Sequence, residues 1–360
     1  MDKFLAASSN EGFLEHAYRY LLSREPDAEG RAHFLAAMAG GMTREAVLQG
    51  FIGSDEFASR FNAKSGSAGA LNAAPRFVPE GHFYSPIPAV EEYRDHFDQL
   101  SLPEPDGIAV DEATQLAYAE KFALTYGDLP FPKDKTAGQR YYLNNGAFNY
   151  FDGIALYSMI REFQPKRIIE VGSGYSSAAM IDTCERFLGG KTEITFIEPY
   201  PETLHKCLLP QDLARYRILA QKVQDVDPAV FQALQANDIL FIDSSHVAKF
   251  GSDVNHLLFK ILPLLNDGVV VHFHDIFRNF DYPREWLTEG RAWNEGYLLK
   301  AFLTHNRDYR ILFFNDWFAH RHWDFLEQRL PLCTVQPEGS PFKNCGVSLW
   351  LQLQSTTSFS

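Results

Sequence analysis

The chain has 360 residues, of which 46% are hydrophobic and 22% charged, and its formal net charge is −13. That length holds about two domains and buries a core without covalent staples, and the composition excludes disorder or collagen-like repetition over most of the chain. The acidic balance repels phosphate backbones and anionic membrane surfaces, and no basic run offsets it, so nucleic-acid and membrane partners are disfavoured. There is no apolar run of about 18 residues that would span a bilayer. The start, Met1 to Ala7, turns polar too soon for a secretory signal. Cys184, Cys207, Cys333 and Cys345 show neither disulfide-scaffold nor zinc spacing. They read as reduced thiols of a cytoplasmic protein.

Residues 10–62 read as a small helical unit. Phe13, Ala17, Tyr20 and Leu21 recur at helical spacing. Asp27 to Gly30 reads as a turn, a second helix ends at Gly40-Gly41, and Thr43 caps a third carrying Val47, Phe51 and Phe57. The runs Tyr18 to Asp27 and Gly50 to Phe57 resemble the DUF4214 module. That resemblance implies an accessory domain at 1–62, with a protein partner docking through residues 10–62. Residues 63–76, rich in Ala, Gly, Ser and Asn, read as a flexible linker.

Residues 77–150 are irregular and aromatic, with helices expected near 89–100 and 110–125. They read equally well as a cap on the substrate side or as packing over a sheet. From 151 to 355 helical stretches alternate with apolar strands: Arg167 to Val171, Ile194 to Ile197, Tyr216 to Leu219, Ile239 to Ile242 and Val269 to Phe273. Two more, Tyr309 to Phe314 and Val347 to Leu351, close the chain without a full crossover helix between them. The pattern predicts an α/β fold: a parallel sheet covered on both faces.

The first strand runs into Glu170-Val171-Gly172-Ser173-Gly174-Tyr175-Ser176-Ser177 and then a helix. Two glycines allow a tight turn and a close approach to a ligand, and the helix start offers free N–H groups. Glu198, 24 residues beyond Gly174 and followed by Pro199, can accept hydrogen bonds from both hydroxyls of a ribose. This describes a cofactor containing adenosine. A dinucleotide wants a third glycine where Ser177 stands, and has no need of a carboxylate before the turn. S-adenosylmethionine carries an ammonium that suits Glu170. The acidic pair Glu170 and Glu198 favours the latter, with an NAD-dependent oxidoreductase on the same sheet and a non-catalytic binding protein as the rival readings.

Residues 140–355 resemble class I S-adenosylmethionine-dependent methyltransferases of the methyltransferase 24 branch. The resemblance rests on Ile169 to Ser177, Phe196 to Pro201, Phe241 to Val247, Val271 to Phe277 and Gly290 to Glu295. It implies a Rossmann-like seven-stranded methyltransferase sheet behind the small all-α N-terminal domain. It also implies cofactor contacts from Glu170, Gly172, Ser173, Gly174, Tyr175, Ser176, Glu198, Pro199 and Asp243. The acceptor it implies is a small-molecule or glycan hydroxyl.

Asp243 and Asp275 end the fourth and fifth strands, which are expected to be neighbours, so both face the crevice where a methyl group would sit. His246 follows three residues after Asp243, and His272 and His274 share one face of their strand. This puts Asp243, His246, His274 and Asp275 forward as the reaction centre, and Asp243, His274 and Asp275 as ligands for Mg²⁺ or another divalent metal. His272 reads as packed within the sheet. In the loop after the fifth strand, Tyr282, Trp286 and Arg291 offer rings and a guanidinium to an acceptor, or equally serve as anchors of the loop itself.

Overall fold

The computed structural model describes residues 9–21, 26–52, 54, 77–78, 80–104, 107–336 and 346–354. The predicted linker 63–76, Phe57 and Cys345 lie outside them. The chain divides into two compact units, Met1–Pro79 and Glu80–Ser360.

In the first unit, α1 (Asn10–Leu21), α2 (Ala28–Ala39) and α3 (Arg44–Ile52) surround Phe13, Leu14, Ala17, Tyr18, Met38, Val47, Leu48 and Phe51. Asp27 to Gly30 is not a free turn. Asp27 is the N-cap of α2, its carboxylate accepting from the Gly30 N–H at 2.8 Å. Thr43 caps α3 as expected, accepting from Ala46 N–H at 3.2 Å.

The second unit is built on seven strands: β1 (Arg167–Val171), β2 (Glu193–Ile197), β3 (Arg217–Leu219), β4 (Ile239–Ile242), β5 (Val270–Phe273), β6 (Tyr309–Phe314) and β7 (Leu349–Leu353). Their order is β3-β2-β1-β4-β5-β7-β6. The first five run parallel, and β7 slots antiparallel between β5 and β6. Every residue of β4 and β5 is buried, which is why these strands read as continuous apolar runs without alternation. The last strand begins two residues later than the sequence suggests. The Val347 N–H and Ser348 hydroxyl are taken instead by the buried Asp152 carboxylate, at 2.9 and 2.7 Å. Among the described residues, no helix is long and apolar enough to cross a membrane.

The 77–150 segment is of two kinds. Its later part covers the sheet. On α5 (Glu112–Thr125), Gln115 donates to Leu312 O and accepts from Phe314 N–H on β6, while α6 (Tyr150–Phe163) is buried from Tyr150 through Ile160. Its earlier part, with α4 (Val90–Asp95), packs instead on the loop after β5. There Leu102 N–H donates to Asp281, Asn279 donates to Leu102 O, and Arg284 lies over Phe97.

One buried charge ties the segment to the sheet. Arg140 pairs with Asp212 at 2.7 Å, with Asp182 at 2.7 Å and with Glu185 at 3.0 Å. Asp182 and Glu185 sit on α7 (Tyr175–Phe187), the helix after β1, and Asp212 is fully buried. Removing one partner of such a group strands the others in a low-dielectric interior, at a cost of about 3–5 kcal/mol. Arg140→Met is therefore expected to lower the unfolding free energy by about 3 kcal/mol in urea denaturation. A loss below about 1 kcal/mol would mean that these groups behave as an exposed pair.

Candidate active site

The site forms where β1, β2, β4 and β5 end. Beyond Val171 the chain turns through Gly172 at φ +79° and passes over the end of β4. A Cβ on Gly172 would stand 1.7 Å from the carbonyl oxygen of Asp243. Only glycine fits there, on grounds of both φ and space. The turn is fastened from the next strand. Glu198 accepts from Ser173 N–H at 3.1 Å with one oxygen and from Tyr200 N–H at 2.8 Å with the other, which fixes the carboxylate beside the glycine turn with Pro199 between. Tyr175, the first residue of α7, stands edge-on to Tyr142 at 5.9 Å.

Glu170 is placed differently from expectation. Its side chain is fully buried beneath the turn, accepting from Ser176 Oγ at 2.5 Å and from the Ser177 hydroxyl. Ser177 Oγ in turn accepts from Gly174 N–H at 3.0 Å. The carboxyl thus braces the turn from below. Desolvation pushes its pKa up to about 8 even though Ser176 and Ser177 donate to it. An acid whose folded pKa lies above its unfolded value is protonated in the folded chain while ionised in the unfolded one. Between about pH 4.5 and 8 stability therefore falls as pH rises. Glu170→Gln is expected to flatten that slope in melting curves taken across the same window; an unchanged slope would assign it to other groups.

The acidic cluster lies on the other side of Gly172. Asp243 is tied to β1 through its N–H to Val171 O at 2.8 Å. His246 Nε2 lies 3.3 Å from Asp243 Oδ1 and 3.4 Å from Asp275 Oδ2. His246 Nδ1 meets the fully buried Glu295 at 2.9 Å. Glu295 also accepts from Ser244 Oγ at 3.0 Å, and the His246 carbonyl accepts from Asn294 N–H and Glu295 N–H. His246 and Asp275 both hold φ +58°, a left-handed conformation unusual outside glycine that persists only where neighbours enforce it. Burial opposes charge on His246, yet its hydrogen bonds to Asp243 and Glu295 and the nearby Asp275 hold its pKa well above the ordinary value.

One ligand atom each from Asp243, His246 and Asp275 lies within 4.8 Å of the others. This set differs from the predicted one, with His246 beside the two aspartates where His274 was expected. His274 Nε2 is 3.8 Å from Asp275, but its ring is buried against Phe148 at 5.1 Å, and its Nδ1 has no hydrogen-bond partner among the described residues. His272 is packed in the sheet as predicted. It stacks on Phe241 at 3.8 Å with Nε2 3.0 Å from Ser348 Oγ, and burial pushes its pKa down.

Tyr282 and Trp286 take the anchoring alternative. Both are buried in a cluster with Phe277 and Val347, and Tyr282 Oη accepts from Gly296 N–H at 2.9 Å. They anchor the loop and do not present rings to a ligand. Arg291 lies over Trp286 and Trp293 and pairs with Glu289 at 2.7 Å. The sequence reading missed Glu295 and Trp293, whose ring lies 4.3 Å from that of His246. An acid in the first turn of a helix, here α8 (Glu295–Leu303), ordinarily reads as a dipole partner, so only the fold reveals its tie to His246.

A glycine turn, a carboxylate at the next strand end and a switch in strand order between β1 and β4 define an α/β fold with a crevice at the carboxyl ends of the strands. Residues 169–276 match the family described as methyltransferase domain, and residues 2–61 match a domain of unknown function, DUF4214. An uncharacterized protein of Archaeoglobus fulgidus is 36% identical over 174 residues, covering 46% of this chain and 76% of that protein. The chain belongs to this methyltransferase family. Among solved structures, it is similar to an SAH-bound Podospora anserina methyltransferase, at 15% identity and a TM-score of 0.35, covering 74% of this chain and 98% of that one. It is also similar to the O-methyltransferase TomG of Streptomyces achromogenes, at 16% identity and a TM-score of 0.35, with coverages of 72% and 95%.

Proposed function

We propose that this chain transfers the methyl group of S-adenosylmethionine to a hydroxyl of a small-molecule or glycan acceptor, with a divalent cation held by Asp243, His246 and Asp275. The observation that carries the reading is the meeting, across Gly172, of a nucleoside-type turn with a cluster of two carboxylates and an imidazole. The donor is a sulfonium and already has a good leaving group, so the protein's task is alignment and removal of the acceptor proton.

The residues divide that task. Gly172, Ser173 and Gly174 supply close backbone, and Glu198 is placed to accept from ribose hydroxyls. Glu170 supports the turn from below. A buried carboxyl there, with Ser177 in the position of a third glycine, fits a cofactor without a pyrophosphate. Asp243 and Asp275 are the acceptors nearest the reacting hydroxyl. Glu295 holds His246 through Nδ1, so that Nε2 faces the two aspartates, an arrangement common behind metal-ligating histidines. The donor set of two carboxylates and one imidazole fits a divalent cation, which when bound polarises a hydroxyl and lowers its pKa. The thiols of Cys184, Cys207 and Cys333 are all buried, which fits a cytoplasmic setting.

Label transfer tests the reading. Methyl-labelled S-adenosylmethionine is incubated with the protein and a cell extract split into glycan, lipid, protein and small-molecule fractions. Label is expected in the glycan or small-molecule fraction, to fall at least about tenfold in EDTA and to return with Mg²⁺. Full transfer in EDTA would remove the cation, and label confined to protein or lipid would overturn the acceptor class.

A further inference from the structure

We propose that the cleft between residues 80–93 and 287–292 is a saccharide subsite, holding sugar rings of the acceptor beyond the ring that receives the methyl group; this rests on the reading of the chain as a hydroxyl methyltransferase. The cleft encloses about 380 Å³, within the range of about 300–1,000 Å³ usual for small-ligand sites. Its walls combine Glu80, Glu91 and Arg291 with Ile87, Pro88 and Leu287. That mixture supplies acceptors and a donor for ring hydroxyls, and an apolar surface for the C–H face of a sugar. Two carboxylates beside an arginine already paired with Glu289 disfavour a phosphate or another anion.

A run of rings lies on the turn whose two ends, Gly81 and Ile87, line the cleft. His82 stacks on Phe83 with centroids 4.3 Å apart, and Tyr84 lies tilted against Phe83 at 4.2 Å. Phe83 is 80% and Tyr84 65% exposed. The turn that carries them is ordered by its own hydrogen bonds: Gly81 N–H to Ile87 O, Tyr84 N–H to His82 Nδ1, and Ile87 N–H to Ser85 Oγ. Large rings held in water by an ordered turn mark a contact surface. Flat aromatic faces suit sugar rings.

One wall of the cleft is in side-chain contact with the surroundings of the reaction centre. Arg291 forms part of its wall and lies 4.9 Å over Trp293, whose ring stands 4.3 Å from His246. In this proposal the ring that receives the methyl group lies at Asp243 and Asp275, and further rings of the same acceptor lie along residues 80–93.

The test uses the full chain, with an array of neutral oligosaccharides as probe. Wild type is compared with Phe83→Ala/Tyr84→Ala and, separately, with Glu91→Gln; all three substitutions are at exposed positions. Wild type is expected to bind a subset of the array, and the double variant to bind those members at least about tenfold more weakly, near 1.4 kcal/mol. Methyl transfer to the same oligosaccharides is expected to show a raised KM with unchanged kcat, while transfer to a monosaccharide is unaffected. Equal binding by wild type and both variants, no binding to any oligosaccharide, or binding only to basic peptides would overturn the subsite. Binding that the variants lose, with no methyl transferred by wild type, would keep the subsite and remove the hydroxyl-transfer reading.

Discussion

The whole site depends on one close approach: the turn after β1 crosses the end of β4 with no room for a side chain between Gly172 and the Asp243 carbonyl. This contact makes neighbours of two pieces of chemistry that arise from different strands. On one side are the glycine turn and Glu198. On the other are Asp243, His246 and Asp275. The parallel order of β2, β1, β4 and β5 brings the strand ends together, and the glycine lets them close to van der Waals distance.

Around that contact the protein holds conformations that would relax if left alone. His246 and Asp275 sit in the left-handed region, and the loop bearing His246 is clamped by hydrogen bonds from Asn294 and Glu295 to the His246 carbonyl and from the His246 N–H to Ser244 Oγ. The aromatic cluster of Phe277, Tyr282 and Trp286 fixes the loop from which Glu295 is reached. The rings near the site thus hold the acid–imidazole cluster in place.

Much of the fold was legible because the parallel strands are buried on both faces and appear as short apolar runs; β1, β4 and β6 lie where the periodicity puts them. The glycine turn and the two strand-end aspartates were legible for the same reason, as strand ends locate them. What the sequence did not reveal depends on side-chain direction and burial. It placed Glu170 against a ligand, whereas the serines of α7 enclose it. It favoured His274 over His246 as a ligand, because a left-handed residue after a strand reverses the ordinary alternation. Asp27 shows the same limit locally, since one side-chain hydrogen bond turns an apparent turn into a helix start.

The most direct measurement is calorimetric titration of S-adenosylhomocysteine into wild type and Gly172→Ala, with NAD as the comparison ligand and a thermal melt to check folding. The account predicts that wild type binds S-adenosylhomocysteine and not NAD, and that the single methyl weakens binding at least about tenfold. Equal affinity for the two proteins, or binding of NAD in place of S-adenosylhomocysteine, would contradict it.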